Sequence, residues 1–515
     1  MISDNKRFNL GYLPHRAFLG HPDSVAVIDL AAGAAGVITY RELERRLERF
    51  AAAVSMLGLE PGSRVALLIG NRSEYLIALY GSLRAGLCPV MVNTRLGLKG
   101  LQESLEEIEA QVAIVDPACN ESGLEAARDV PHRIILGGIQ SGWQEFAEFL
   151  ESATDSFEPP TFSSLSAAEL CFTSGSTGRP KAVVLSHRGT LLKLHLYANE
   201  HRAMRGESLC ALIHLPIFHA NARLSAGVAF ETGGRVVIQQ RFDPRQTLEN
   251  IAKYRVNYFL NVAPAYVAML QQEDLLQSLD LSSLRFPLVG SAPSGGDMLK
   301  RAEAAMRVRI MHTYGSTEAG TVLQHRLDDD APLSSCGRPL SGNEIKLIDP
   351  VTGLSGNAGE LWIRNEWLAL GYWRRPAETA AKFVDGWYRS GDLFERDSRG
   401  HFYFRGRVDD MFNVGGEKVY PAEVEGLLQR HPMVQAASVV PVAHDSKGEV
   451  PVAMVISVRP NSVSAQELKD FCLAHGPAYA HPRAILFVDA FPLAATGKID
   501  RNQVRAAVLA AMQVK

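Results

Sequence analysis

Thr39 and Glu42 stand three residues apart, just ahead of a run in which Leu43, Leu47, Phe50, Val54 and Leu57 recur at spacings of four and three. The first pair is a capping box, and the apolar series makes one helix face. Gly58, Pro61 and Gly62 end that helix. Residues 65–69 are then wholly apolar, which predicts a strand covered on both sides; a helix-compatible stretch follows at 75–84, and a second apolar run at 89–92. The rhythm is β-α-β. It returns around the short apolar runs 235–238, 258–260 and 286–289, each followed by turn residues and a polar stretch. The fold class predicted is α/β, with mixed sheets flanked by helices.

Residues 340–405 change character, with short alternating runs such as 344–348 and 360–363 broken by Gly and Asp. These predict an antiparallel β subdomain. Beyond Asp409 the pattern restarts, with a helix at 422–429, strands near 437–440 and 452–456, a helix from Ala465 and a strand at 484–488. A chain of 515 residues exceeds what one hydrophobic core supports. The division expected is a large domain over residues 1–408 and a small α+β domain over residues 409–515.

The residues with the densest candidate chemistry follow the apolar Leu170, Cys171 and Phe172. Thr173, Ser174, Gly175, Ser176, Thr177 and Gly178 run on to Lys181, combining hydroxyl donors, two glycines free to turn N–H groups inward, and a cation. A strand entering a phosphate-holding loop is one reading; a solvated turn of the same composition is the other. The spacing does not match the G-x-x-x-x-G-K-[ST] loop. Formal net charge is −3 and no long basic run occurs, which gives nucleic-acid binding no support. The start lacks an apolar core of signal-peptide length, and no eighteen apolar residues run uninterrupted, so membrane insertion is not expected. The six cysteines have no metal-finger spacing and read as reduced, which favours a cytoplasmic location.

The 173–181 loop resembles the phosphate-binding signature of the adenylate-forming (AMP-binding) superfamily, and further stretches continue the resemblance in order. Tyr314, Gly315, Ser316, Thr317 and Glu318 resemble its aromatic-Gly-x-Thr-Glu motif, and Trp387 to Asp392 its ribose-binding motif. Gly406, Arg407, Val408, Asp409 and Asp410 resemble its hinge, followed by Gly415 and Gly416, and the segment holding Lys498 resembles its C-terminal catalytic-lysine motif. The resemblance spans about residues 20–505 and is to the acyl- and aryl-CoA synthetase type.

It implies an ATP-dependent acid:CoA ligase that forms an acyl-adenylate with loss of pyrophosphate, then a thioester with loss of AMP. The loop residues Thr173, Ser174, Gly175, Ser176, Thr177, Gly178 and Lys181 would hold the β- and γ-phosphates. Ala182 departs from the glycine usual in the family. Glu318 would bind Mg²⁺, Thr317 the α-phosphate, and the Tyr314 ring would pack beside adenine with Gly315 next to it. Ser291, Ala292 and Pro293 match the segment along adenine, and Asp392 and Arg407 the ribose contacts. Lys498 would bridge carboxylate and α-phosphate, carried in and out by rotation of the small domain about Asp409.

Gly415 and Gly416 look like the CoA-ligase version of their segment and would admit pantetheine. Amino-acid activators carry an Asp where His219 stands, which disfavours a free α-amino acid; His219 would gate or line the acid pocket with Asn221, Ala263, Pro264 and Gly290. An amide-forming or carrier-loading ligase, and a catalytically silent nucleotide-binding protein, are the alternatives. The partners expected are a small carboxylic acid, ATP and CoA; a homodimer is left open.

Overall fold

In a computed structural model, the chain is described over residues 7–153, 157–173, 181–205, 208–290, 296–444, 446–492 and 499–513. Its first sheet has nine strands, ordered Arg338–Pro339, Gly320–Gln324, Met311–Ser316, Phe286–Val289, Tyr258–Asn261, Cys210–Ile213, Arg235–Ile238, Val25–Asp29 and Val37–Thr39. From Met311–Ser316 to Val25–Asp29 neighbours are parallel, and the pairings beyond that block, two at one end and one at the other, are antiparallel. A second sheet of eight strands is centred on Ala167–Thr173, Cys88–Met91, Arg64–Leu68 and Val112–Val115. The interior strands are buried along their length, as their continuous apolar runs require. The α/β expectation holds, with strand ends displaced by about one residue.

The capping box at Thr39 forms: its hydroxyl accepts from the Glu42 N–H at 3.3 Å and opens the helix Tyr40–Ser55. Residues 340–405 do form an antiparallel sheet, built from Glu344–Ile348, Ala358–Arg364, Trp387–Arg396, Phe383–Val384 and Phe402–Arg407. The C-terminal sheet joins Phe412–Val414, Glu417–Val419, Gly448–Ser457, Val434–His444 and Ala484–Phe487. It carries its own apolar cores, one under the helices Pro421–Gln429 and Ala465–His475 and one under Arg501–Gln513. That last helix was not anticipated, because half of its apolar residues are alanine and give a weak period.

A buried ion pair ties the N-terminal segment to this frame. Arg84, 0% exposed, donates to both Glu44 oxygens at 3.0 and 2.7 Å, to Glu48 at 3.0 Å and to the Gly11 carbonyl at 2.9 Å. Burial alone would raise the Glu44 carboxyl, but hydrogen bonding from His15 and the charge of Arg84 outweigh it and hold it at about 2. Because the folded value lies below the usual 4.5, this stabilisation is present above pH 4.5 and is lost as pH falls toward 2. Arg84→Met strands a buried carboxylate and is expected to cost about 3–5 kcal/mol. Thermal melts between pH 7 and 3 check this: the variant should melt lower at pH 7, and the gap to the wild type should shrink toward pH 3.

Candidate active site

The strands Met311–Ser316 and Gly320–Gln324 form a hairpin whose turn holds Thr317, Glu318 and Ala319. A Cβ at Gly315 would lie 2.3 Å from the Gly320 carbonyl oxygen, so only glycine lets the strands approach. The turn is anchored from outside. The Ala369 N–H donates to the Glu318 carbonyl at 2.8 Å, and the Trp367 indole and Asn365 amide donate to the Ala319 carbonyl at 2.9 and 3.1 Å. The Glu318 side chain is buried, and one oxygen accepts from the Tyr372 hydroxyl at 3.0 Å. Burial, then the Glu318 charge, pushes that hydroxyl far above its usual range, so it stays a donor.

Tyr372 also faces the other side of the cleft. Its strand, Gly371–Tyr372, pairs antiparallel with Lys181–Ser186, and the Lys181 ammonium lies 5.6 Å from the Tyr372 ring centroid, within cation–π range. Lys181 also contacts the Glu378 carboxylate. Lys181, Tyr372 and Glu318 thus stand in series, the cation over the ring and the carboxylate at its hydroxyl. The strands Ala167–Thr173 and Lys181–Ser186 pair antiparallel, with Thr173 opposite Lys181.

Asp392 lies within the strand Trp387–Arg396, opposite Arg407 on Phe402–Arg407. One oxygen accepts from the Tyr314 hydroxyl at 2.6 Å and the other from the Arg407 guanidinium at 2.7 Å. Burial and then the Asp392 charge push the Tyr314 hydroxyl well above its usual range, leaving it protonated. The Tyr314 ring packs edge-on against Phe394 at 4.7 Å. Behind Asp392, the buried Glu360 accepts from the Gly391 N–H at 3.1 Å, and the Ser390 hydroxyl accepts from the Asp392 N–H at 3.0 Å. The carboxylate is therefore fixed in orientation before any ligand arrives.

The described residues bring together Lys181, Glu318, Tyr314, Asp392 and Arg407, with Thr317 beside Glu318 and Thr173 beside Lys181. Ser174, Gly175, Ser176, Thr177, Gly178, Ser291, Ala292, Pro293 and Lys498 lie outside the described residues. His219 precedes the helix Ala220–Glu231 in extended conformation, its ring 4.4 Å from that of Phe218. Gly290 ends a parallel strand beside Thr313, whose carbonyl oxygen would lie 2.8 Å from an added Cβ. Gly415 and Gly416 form the exposed turn between Phe412–Val414 and Glu417–Val419, at φ +60° and +96°.

Tyr372 and Arg223 were missed in the sequence. No signal in the chain marks Tyr372. Arg223 could have been found, because it is one charge in the otherwise apolar middle of a helix. Its guanidinium donates to the Phe218 carbonyl at 2.7 Å and the Ile217 carbonyl at 3.3 Å, pinning the segment that leads to His219. For a divalent ion, Glu318 is well suited: one oxygen is held by Tyr372, and a single carboxylate with phosphate and water oxygens is the usual Mg²⁺ arrangement. A second group, Asp329, Asp330 and His401, already has cationic neighbours: Arg399 on Asp330, and Arg338 at 3.6 Å from Asp329. Among the described residues no helix is long and apolar enough to cross a membrane.

A carboxylate held by Tyr314 and Arg407 lies beside a cation–tyrosine–carboxylate series on this α/β frame, and the family match makes the frame that of an adenylate-forming enzyme. The chain belongs to the family of AMP-binding enzymes, whose model matches residues 15–373, with the AMP-binding enzyme C-terminal domain at residues 423–498. A feruloyl-CoA synthase of Amycolatopsis sp is 32% identical over 486 residues, covering 91% of this chain and 93% of that protein. The crystal structure of the anthranilate CoA ligase AuaEII with anthranoyl-AMP matches with a TM-score of 0.89 at 27% identity, covering 98% of each chain. The amide bond synthetase McbA of Marinactinospora thermotolerans matches with a TM-score of 0.86 at 26% identity, covering 97% of this chain and 99% of the other.

Gly320, at φ +70°, closes the turn that carries Glu318, and a Cβ there would lie 2.7 Å from the Lys193 Cδ and 3.2 Å from the Trp367 indole nitrogen. Gly320→Ala should cost about 1–2 kcal/mol of stability from the left-handed backbone. Displacing the Glu318 carboxylate should cost about 100-fold in rate. Melting temperature and acid-dependent pyrophosphate release, measured on one preparation, check this; proportionate losses in both would detach the turn from catalysis.

Proposed function

We propose that this chain joins an aryl carboxylic acid to CoA in two steps at one cleft. The enzyme is an AMP-forming acid–thiol ligase: carboxylate attack on the α-phosphorus of ATP expels pyrophosphate, and a thiolate then displaces AMP from the acyl-adenylate. The observation that carries the reading is the Asp392 carboxylate, held by Tyr314 and Arg407 next to the Lys181–Tyr372–Glu318 series. Asp392 keeps lone pairs for the vicinal hydroxyls of ribose. Lys181 and the loop before it would neutralise the β- and γ-phosphates. Glu318 would hold Mg²⁺, which supplies charge neutralisation at the phosphates. Thr317 would donate to the α-phosphate.

Bringing two anions together is most of the barrier, and preorganised donors and cations lower it without reorganising during the reaction. Lys498, a compact ammonium on a flexible stem, would bridge the attacking carboxylate and the α-phosphate. Its residence on the C-terminal segment fits a boundary near residues 408 and 409, where the 3-10 turn Val408–Asp410 joins the two regions. Rotation there would exchange Lys498 for the Gly415–Gly416 turn, whose missing side chains leave a thin passage for pantetheine. An aryl acid is favoured because feruloyl and anthranoyl groups are named for two of the relatives. The second reading, an amine as acceptor, is favoured by the likeness to McbA. We expect a cytoplasmic enzyme, with its six cysteines reduced.

The deciding experiment is pyrophosphate release across a panel of aryl, cyclic and aliphatic acids, with product analysis with and without CoA. Aryl acids giving CoA thioesters support the reading. Pyrophosphate release with amide but no thioester favours the second. Lys498→Ala should slow acyl-adenylate formation at least ~10²–10³-fold while leaving thioester formation from supplied acyl-adenylate largely intact. Equal losses in both half-reactions would remove Lys498 from its role and domain alternation with it.

A further inference from the structure

Three charged side chains meet at a small space that the ligation chemistry above does not use. Between the helices His187–Arg205 and Ala220–Glu231 lies a cavity of about 20 Å³, lined by Glu169, Lys193 and Arg223 among apolar residues such as Leu79 and Leu224. It has room for about one water-sized group. Ala220 also lines it, and Ala220 follows His219 directly. At its other side the Lys193 stem packs on Gly320, two residues from Glu318. The cavity therefore abuts both the helix that follows His219 and the turn that carries Glu318.

Its charges are incompletely matched. Arg223 spends its donors on the Ile217 and Phe218 carbonyls and the Cys171 sulfur, and its Nε lies 3.5 Å from Glu169. Among the described residues Lys193 has no hydrogen-bond or ion-pair partner, and it is not within 4 Å of Glu169. Burial lowers the Lys193 ammonium from its usual range, and the nearby Glu169 charge is the main influence raising it. An ammonium and a carboxylate thus face one small space without touching. A carboxylate placed between them would be repelled by Glu169, and an ammonium by Lys193. A hydroxyl fits, accepting from Lys193 and donating to Glu169.

We propose that this cavity receives a hydroxyl at the far end of the acid substrate, making Lys193 and Glu169 specificity-determining residues for hydroxy acids. The inference rests on the adenylate-forming reading but not on the identity of the acceptor. A hydrogen bond to a charged group in such a site discriminates by roughly 10- to 100-fold.

The test is the dissociation constant, by titration calorimetry on the full chain, of non-hydrolysable acyl-sulfamoyladenosines in matched pairs: benzoyl and para-hydroxybenzoyl, cinnamoyl and para-hydroxycinnamoyl, hexanoyl and omega-hydroxyhexanoyl. On at least one scaffold the hydroxylated partner should bind roughly 10- to 100-fold tighter. Lys193→Met should bring that ratio to about one, and Lys193→Gln, which keeps a donor without the charge, should leave an intermediate ratio. A ratio near one on every scaffold in the wild type overturns the proposal whether or not the variants fold. So does a wild-type preference that survives Lys193→Met. Failure of every analogue to bind overturns the adenylate-forming reading and this inference with it, whereas tight binding without a hydroxyl preference overturns this inference alone.

Discussion

The carboxylate of Asp392 ties the hairpin of the nine-stranded sheet to the antiparallel subdomain and to the turn that leads out of it. Tyr314 reaches it from the hairpin of the nine-stranded sheet, Arg407 from the last strand of the antiparallel subdomain, and Asp392 itself lies on the strand between. Each donor occupies a different oxygen, so the carboxylate plane is set by two elements at once. The Arg407 guanidinium is also 3.9 Å from Asp409, in the turn that leads to the C-terminal sheet. Orientation of the Asp392 carboxylate and conformation of that turn are therefore mechanically linked through one side chain. Charge-assisted bonds of this kind are short and directional, which suits a point where geometry must be held and not merely packed.

The same logic recurs at two buried arginines. Arg84 and Arg223 are each nearly inaccessible within helices, and each directs part of its guanidinium at backbone carbonyls of an irregular segment: Gly11 for Arg84, Ile217 and Phe218 for Arg223. Irregular backbone cannot satisfy its own carbonyls, so a buried multidonor side chain does it instead. The carboxylates Glu44 and Glu169 offset the charge. Such pairs add little net stability over an apolar replacement of the same shape, but they specify which loop sits where. For Arg223 the loop in question leads straight to His219.

How much of this was legible in the chain depended on whether a signal was local. The parallel strands announced themselves as apolar runs bounded by turns, and the Thr39 cap by a hydroxyl and a carboxylate three residues apart, because both depend only on neighbours in sequence. The resemblance pointed to Lys181, Glu318, Asp392 and Arg407, and the fold brings these near one another. Taken without it, Tyr314 to Glu318 has the residue types of a helix cap and Asp392, after Gly391, those of a turn, whereas the first belongs to a hairpin and the second lies within a strand. Glycines misled in each case, since Gly315 and Gly391 serve close strand approach and a positive φ inside sheets. Tyr372 was invisible because its partners, Glu318 and Lys181, are 54 and 191 residues away in sequence. Glu169, Lys193 and Arg223 each stand alone in an apolar run, a pattern that marks a buried charge without saying what it faces.

The contrast between rigid and open parts bears on how one cleft could serve two reactions. The turn carrying Glu318 is held by donors from Asn365, Trp367 and Ala369, and the strand carrying Asp392 is backed by Glu360, so these two carboxylates are fixed on several edges. The C-terminal sheet, by contrast, completes its own cores and its own half-buried ion pair, Arg501 donating to Glu425 at 3.0 Å and to the Val439 carbonyl at 2.9 Å. A region that satisfies its own polar groups and buries its own apolar faces can turn against its neighbour without exposing either. Near the junction a Cβ at Gly406, φ +141°, would meet Tyr420 only at 3.5 Å, ordinary contact and not an interlock. Alternation requires that combination: one partner preorganised for charge, the other internally complete, and between them a joint with little to break.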